Sequence, residues 1–551
     1  MASNKIIIYQ VFTRLYGNGC QTRKPFGTID ENGCGKFNDF TPSVLKRIRQ
    51  MGASHVWYTG VLRHATMTDY SSYGIPRQHP AVVKGRAGSP YAITDYYDVD
   101  PDLAVSVEHR MEEFLKLVNR THRAGLKMII DFVPNHVARQ YCSIAKPEGV
   151  HDLGQDDNPA EGFSPQNNFY YCPGQAFTPY FDLYHGEKEP YAEMPAKATG
   201  NDCFHNAPGQ NDWYETVKLN YGVDYYAGRV GHFSPVPDTW HKMLHILLYW
   251  AGKGVDGFRC DMAEMVPVEF WHWATQQVKE QHPDIVFIGE VYNPQQYRSY
   301  LAAGFDYLYD KVGMYDALID VLCHRRDTGA ITWAWQQTDD IRQHMLYFLE
   351  NHDEQRLASS FILGPDGSRA LPALVVAALL QQGPFMLYAG QEWGEQGMDA
   401  EGFSGCDGRT TIFDYWALSA QREGPLANYY QRVLDIARTQ PAVADGAMFD
   451  LMYVNADYRR QYAFLRAVKG ATTKQTRRAP FLLVVANFDD QAVSMSLRLP
   501  AHAFDYLDLP EGRIECTDLL SGNSMDLTLQ RDGEVRLELP PRGSLVLECH
   551  K

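Results

Sequence analysis

The sequence predicts a (β/α)8 TIM barrel, an α/β fold, with a domain inserted after the third strand and a C-terminal antiparallel β-sandwich domain. Three observations carry this. An amphipathic helix, a glycine and a short apolar run recur as a unit along the first 440 or so residues. Such apolar runs lack alternation, as expected of parallel strands covered on both faces. Several of them end in a carboxylate, and a barrel presents its chemistry at the C-terminal ends of its strands. Beyond residue 440 the pattern changes to alternating strands.

In chain order, residues 6–11 are the first strand candidate. Thr41 can cap the first helix, Pro42 suits its first turn, and Val44, Leu45, Ile48 and Met51 share a face. Gly52 ends it, and residues 55–58 follow as a strand. Val107, Met111, Phe114, Leu115 and Val118 mark a second helix, followed by Gly125 and a strand over 128–133. Trp240, Met243, Leu244, Leu247 and Leu248 mark a third, followed by Gly252 and a strand ending at Asp261. Residues 285–289, 305–309, 345–349 and 384–388 supply the remaining strands, and a last helix spans roughly 426–438. The expected division is a barrel over 1–136 and 226–439, an insert over 137–225, and an all-β domain over 440–551. The insert is long, polar and aromatic, the mark of a functional loop or small domain. Its Tyr170, Tyr171, Trp213 and Tyr214 either line a binding site or form its core.

Bulk properties narrow the function. A net charge of −16 argues against nucleic acid or an anionic membrane as a partner. Aromatic residues make up 13% of the chain, enough either to stack on sugars or to fill cores. The ten cysteines form no CxxC pair and are too sparse for a disulfide scaffold. No run is long and apolar enough to span a bilayer, and no signal-like start is evident. The expected location is cytoplasmic, or periplasmic or secreted if a signal has been removed.

Arg259 and Asp261 lie two apart on one strand and so share a face, with Cys260 turned away. An arginine beside a carboxylate favours its ionised form, as a nucleophile needs. Glu290, at the end of the next strand, is then the group to carry a proton near neutrality. Asp353 follows the run 345–349. A converging set of acids is what glycosidic-bond hydrolysis requires.

Four segments, taken together, resemble the ordered motifs of the α-amylase family of retaining α-glucan glycosidases: Asp131-Phe132-Val133-Pro134-Asn135-His136, Gly257-Phe258-Arg259-Cys260-Asp261, Gly289-Glu290 and Asn351-His352-Asp353. Tyr91-Ala92-Ile93-Thr94-Asp95-Tyr96, Val217-Lys218-Leu219-Asn220 and Tyr388-Ala389-Gly390-Gln391-Glu392 are similar to further family segments. The resemblance implies catalytic roles for Asp261 as nucleophile, Glu290 as acid/base and Asp353 as stabiliser. It implies substrate contacts for Tyr91, His136, Arg259 and His352, with Asp131 in support. The implied partner is an α-glucan or maltooligosaccharide, and no cofactor is required for the chemistry.

A structural calcium is suggested by Asn135, although calcium-free relatives keep the same asparagine. Asp30, Asn32 and Asp39 lie in a loop resembling a second family calcium loop. Glu264-Met265 stand where many family amylases carry Lys-His, and Lys218-Leu219-Asn220 is closer to the neopullulanase and cyclomaltodextrinase types. Endo-acting amylase is the first expectation and the neopullulanase type the second. An α-glucan transferase or a non-catalytic glucan-binding relative are the remaining alternatives.

Overall fold

A computed structural model describes residues 5–184, 187–400, 407–420, 422–469 and 480–550; Cys406 lies outside them. Eight parallel strands close into a barrel. They are β1 (Ile7–Phe12), β2 (His55–Thr59), β3 (Lys127–Phe132), β4 (Gly257–Cys260), β5 (Val286–Gly289), β6 (Tyr307–Tyr309), β7 (Met345–Phe348) and β8 (Phe385–Tyr388). Each pairs with its chain neighbours, and β1 pairs with both β2 and β8. The first helix, α1 (Pro42–Gln50), starts as its sequence dictates: Thr41 Oγ1 accepts from Val44 N at 3.3 Å. The helix α2 (Arg110–Arg123) begins later than expected, because residues 107–109 form a 3-10 turn before it.

Side chains alternate between the barrel interior and the helix layer. Phe132 and Phe258 face outward, and Phe132 packs edge-on against Trp271 at 6.1 Å. Cys260, fully buried, lies on the same outward side, so its neighbours Arg259 and Asp261 point into the barrel mouth. The register of β4 places Arg259 opposite Asp131 on β3 and Cys260 opposite Gly289 on β5. Glu290 therefore emerges one residue beyond Gly289, beside Asp261. A side chain at Gly289 would meet Leu308 and Phe305 within 2.9 Å, so the residue before the acid must stay small.

Between β3 and the helix α3 (Asp238–Gly252) the chain forms an insert of short two-stranded sheets. Its two ends are tied together: His136–Ala138 pairs antiparallel with Thr216–Lys218, and Leu219 N donates to Asn135 O at 2.9 Å. Tyr170 and Tyr171 are buried within it.

After the last barrel helix, Pro425–Thr439, the C-terminal domain begins. It combines a six-stranded antiparallel sheet with a two-stranded ribbon. The ribbon strands Val493–Leu499 and Gly533–Leu539 alternate, with Val535, Leu537 and Leu539 buried. Cys516 and Cys549, facing each other on adjacent strands, are joined by a disulfide. Sequence spacing gave no sign of that pair. Buried Arg466 fastens this domain to the barrel by donating to Leu380 O at 2.8 Å and to Ala442 O at 2.9 Å.

One acid in the barrel wall is buried away from the strand-end cluster. Glu392 follows β8, is 2% exposed, and accepts from Tyr9 Oη and from Gly390 N. Burial pushes its pKa from 4.5 up to about 7. The folded protein then holds a proton that the unfolded chain releases, so stability is full below pH 4.5 and falls as pH rises to about 7. The loss above pH 7 is about 3 kcal/mol. Glu392→Gln should therefore melt higher than wild type at pH 8, with the gap closing towards pH 4.5. A gap constant across thermal melts at those pH values would show that Glu392 does not titrate in this range.

Candidate active site

Arg259 is the centre of the site. It is 1% exposed. Its Nη1 donates to Asp261 Oδ1 at 2.7 Å, and its Nη2 lies 2.8 Å from Glu290 Oε2. Asp131 and Asp353 each stand 3.9 Å from the same guanidinium. Nε donates to Tyr309 Oη at 3.2 Å, and the ring faces of Trp57, Tyr91 and Tyr309 surround the cation at 5.1–5.5 Å.

The acids respond to this crowding. Burial and the facing Glu290 push the Asp261 carboxyl well above the usual range, with Arg259 pulling the other way. The expectation that Arg259 lowers this group is thus corrected: the guanidinium is shared with Glu290, and burial outweighs its attraction. Asp353 is raised by burial too, against Arg259 and Arg409. Burial raises Asp131 to about 6, although Gly60 N donates to its Oδ2 at 3.1 Å.

Both histidines are kept neutral. Burial holds His352 well below its ordinary value and His136 at about 3. Gln10 Nε2, 2.9 Å from His352 Nδ1, donates there, which leaves the His352 proton on Nε2. That nitrogen faces Tyr91 Oη at 2.5 Å and Asp353 Oδ2 at 3.1 Å, and Tyr91 Oη in turn donates to Asp131 Oδ1 at 3.3 Å. Asn135 Nδ2 donates to His136 Nδ1 at 3.1 Å, so His136 presents Nε2–H 4.0 Å from Asp261. The acids, histidines, Arg259 and Tyr91 singled out in the sequence thus converge, with Asn135 behind His136.

Several participants escaped sequence reading. Tyr292 Oη donates to Glu290 Oε1 at 2.6 Å, and Met262 N donates to Glu290 Oε2 at 2.8 Å. Met262 has φ +43°, a left-handed conformation rare for a non-glycine residue and a mark of stored strain near functional groups. Of the insert's aromatics, Trp213 reaches the site, with its ring 5.2 Å from that of His136, whereas Tyr214 packs against Phe181. A cavity of about 260 Å³ holds Tyr91, His136, Trp213, Asp261, Glu290 and Asp353 in its lining.

The residues suggested for calcium do not fit that ion. The Oδ1 of Asn135, the atom a cation would need, accepts from the Lys218 ammonium. Lys218 is buried and pairs with Asp202 at 2.7 Å. A protein cation thus already sits among the oxygens that calcium would require. In the other loop, Asn32 spends its amide on Lys24 and Tyr415, Asp39 accepts from Lys36 N at 2.6 Å, and Asp30 is exposed.

Residues 23–442 match the model of the α-amylase catalytic domain. The chain belongs to the α-amylase family. It is a family glycoside hydrolase built on the barrel described above. It is 22% identical to α-amylase 3 of Dictyoglomus thermophilum over 65% of this chain and 68% of that protein. It is 21% identical to neopullulanase 2 of Thermoactinomyces vulgaris over 85% of this chain and 68% of that protein. The fold is similar to the α-amylase of Geobacillus thermoleovorans complexed with acarbose, with TM-score 0.66, 18% identity and coverage of 99% and 98% of the two chains. No described helix is long and apolar enough to cross a membrane.

Removal of divalent metal tests the Lys218 arrangement. Chelation with EDTA should leave the melting temperature unchanged, whereas Lys218→Met, which strands Asp202 and Asn135, should cost about 3–5 kcal/mol in denaturant unfolding. A melting temperature that falls on chelation and recovers with calcium would contradict this assignment.

Proposed function

We propose that this family hydrolase cleaves α-1,4-glucosidic bonds of starch-like α-glucans or maltooligosaccharides with retention of configuration. The observation that supports it best is the placement of Asp261 and Glu290 on the two terminal nitrogens of one guanidinium. Two carboxylates held that way suit the separation of about 5–5.5 Å in retaining enzymes better than the 6.5–9.5 Å or so of inverting ones.

In the first step Asp261 attacks the anomeric carbon while Glu290 gives its proton to the departing glycosidic oxygen. The carbon–oxygen bond breaks and a glycosyl ester forms on Asp261. Water then enters, Glu290 takes its proton, and the ester is released as the free sugar with its original configuration. Four carboxylates around Arg259 make loss of every proton costly, which favours a proton held within the cluster before substrate arrives. Tyr292 Oη and Met262 N orient the Glu290 carboxyl. Asp353, with neutral His352 and His136, is set to bind sugar hydroxyls, and Tyr91 to lie against the ring at the cleavage point. This chemistry uses side chains alone, and we infer that it needs no cofactor.

A second reading, a neopullulanase or cyclomaltodextrinase type of hydrolase, is favoured by the Lys218-Leu219-Asn220 segment and by likeness to proteins of those names.

Glu290→Gln should lower kcat/KM by about 10²–10⁴-fold and Asp261→Asn by at least as much, with melting temperatures within a few degrees of wild type. The first product released from maltooligosaccharide should be the α-anomer by proton NMR. A β-anomer would overturn retention, and full activity in either variant would overturn the assignment of that residue.

A further inference from the structure

The rim of the barrel opposite Glu290 is closed. In the barrel order, β1 lies diametrically across from β5, the strand that carries Glu290. The loops after β2 and β8 flank β1, and they meet there. Ala87 N and Gly88 N both donate to Phe413 O, at 2.9 and 3.1 Å, and Arg86 N donates to Asp414 Oδ1 at 2.7 Å. Arg14, buried just past β1, donates to Ala87 O at 2.9 Å, Gly88 O at 2.8 Å and Ile412 O at 2.5 Å, and so staples the two loops together. The approach is at backbone contact: a Cβ on Gly85 would meet Phe413 O at 2.4 Å. The insert completes the wall. Lys84 Nζ pairs with Glu215 Oε2 at 3.1 Å and donates to Asp212 O at 3.3 Å. Lys84 and Glu215 are about 5% exposed.

This wall stands close to the chemistry. Lys84, Glu215, Ile412 and Phe413 line the same cavity of about 260 Å³ as Asp261 and Glu290. That volume is below the ~300–1,000 Å³ usual for small-molecule sites. The acid/base faces the leaving group, so the leaving part of the substrate lies on the β5 side and the glycone lies under the clasp.

We propose that the Lys84–Glu215 ion pair and the loop segment around Phe413 seal the glycone side, so that the enzyme works from the non-reducing ends of maltooligosaccharides and releases a short unit at each turnover. This rests on the retaining-hydrolase reading above, and it departs from the endo action expected from sequence. A long glucan threaded through the site would have to pass a wall made of paired charges and backbone.

The test compares maltoheptaose with maltoheptaose whose terminal non-reducing glucose carries a cyclic acetal, using wild-type protein and chromatography of the products. Pockets discriminate by ~10–200-fold for a single methylene, so the blocked substrate should be cut at least about 10-fold more slowly. The free substrate should yield one short product from its non-reducing end. Equal rates on the two substrates overturn the proposal and leave the hydrolase reading standing. Hydrolysis of neither overturns that reading and this one with it. Lys84→Ala should raise the blocked-to-free rate ratio. An unchanged ratio in a folded variant, judged by its melting temperature, overturns the part assigned to the ion pair.

Discussion

A single buried guanidinium, Arg259, sets the terms for the whole barrel mouth. Four carboxylates lie within 3.9 Å of it, two of them in direct contact. A buried cation is costly unless paired and hydrogen-bonded, and paired acids are costly unless a cation stands between them. Each side of this cluster thus requires the other. The strand register makes the arrangement possible, because it aligns Asp131, Arg259 and the residue before Glu290 across three adjacent strands. The aromatic rings of Trp57, Tyr91 and Tyr309 keep water from the guanidinium and hold it in place. With one central charge among four acids, proton placement belongs to the cluster and not to any one residue.

The insert follows the same logic of internal cations. Lys218 occupies the oxygens of Asn135 and Asp202, and Asn135 in turn fixes the ring of His136. Through two hydrogen bonds a lysine in the insert therefore fixes the His136 ring, whose Nε2 lies 4.0 Å from Asp261. Lys84 does the equivalent on the far rim, where it joins the β2 loop to the insert. Each of these cations couples a loop to the barrel, so the geometry of the acids depends on elements far away in the chain.

Sequence made the barrel legible where periodicity and strand-end acids coincide. The strands β1 to β5 and β7 and β8 fall on the expected apolar runs, because buried parallel strands leave an unbroken apolar signature. The strand β6, only Tyr307–Tyr309, is shorter than its run because Phe305 packs against Trp271 and leaves the ladder. Asp261 and Glu290 were readable because each directly follows a strand, and Asp353 because it closes the Asn351-His352-Asp353 segment a few residues past β7. Tyr292, Met262, Lys84 and Glu215 were not, since they sit in loops whose positions are fixed by contacts across the rim, and no local period encodes those contacts. The sign of the Asp261 shift was misjudged for a related reason: Arg259 is its neighbour in sequence, but Glu290 and burial are its neighbours only in space.

Glu264 shows how such a loop can alter a site without losing it. It stands where many family amylases carry the first residue of a Lys-His pair, a contact that sequence alone reads as lost or replaced. In the fold its Oε2 accepts from Tyr292 N at 3.1 Å and Asn293 N at 2.9 Å. Those bonds hold the loop after β5, and that loop delivers Tyr292 Oη to Glu290 Oε1. The position carries an anion that organises the residue beside Glu290. The two rims of the mouth are thus held by loops bound to one another, while Arg259 and Asp131 between them stand on the strands.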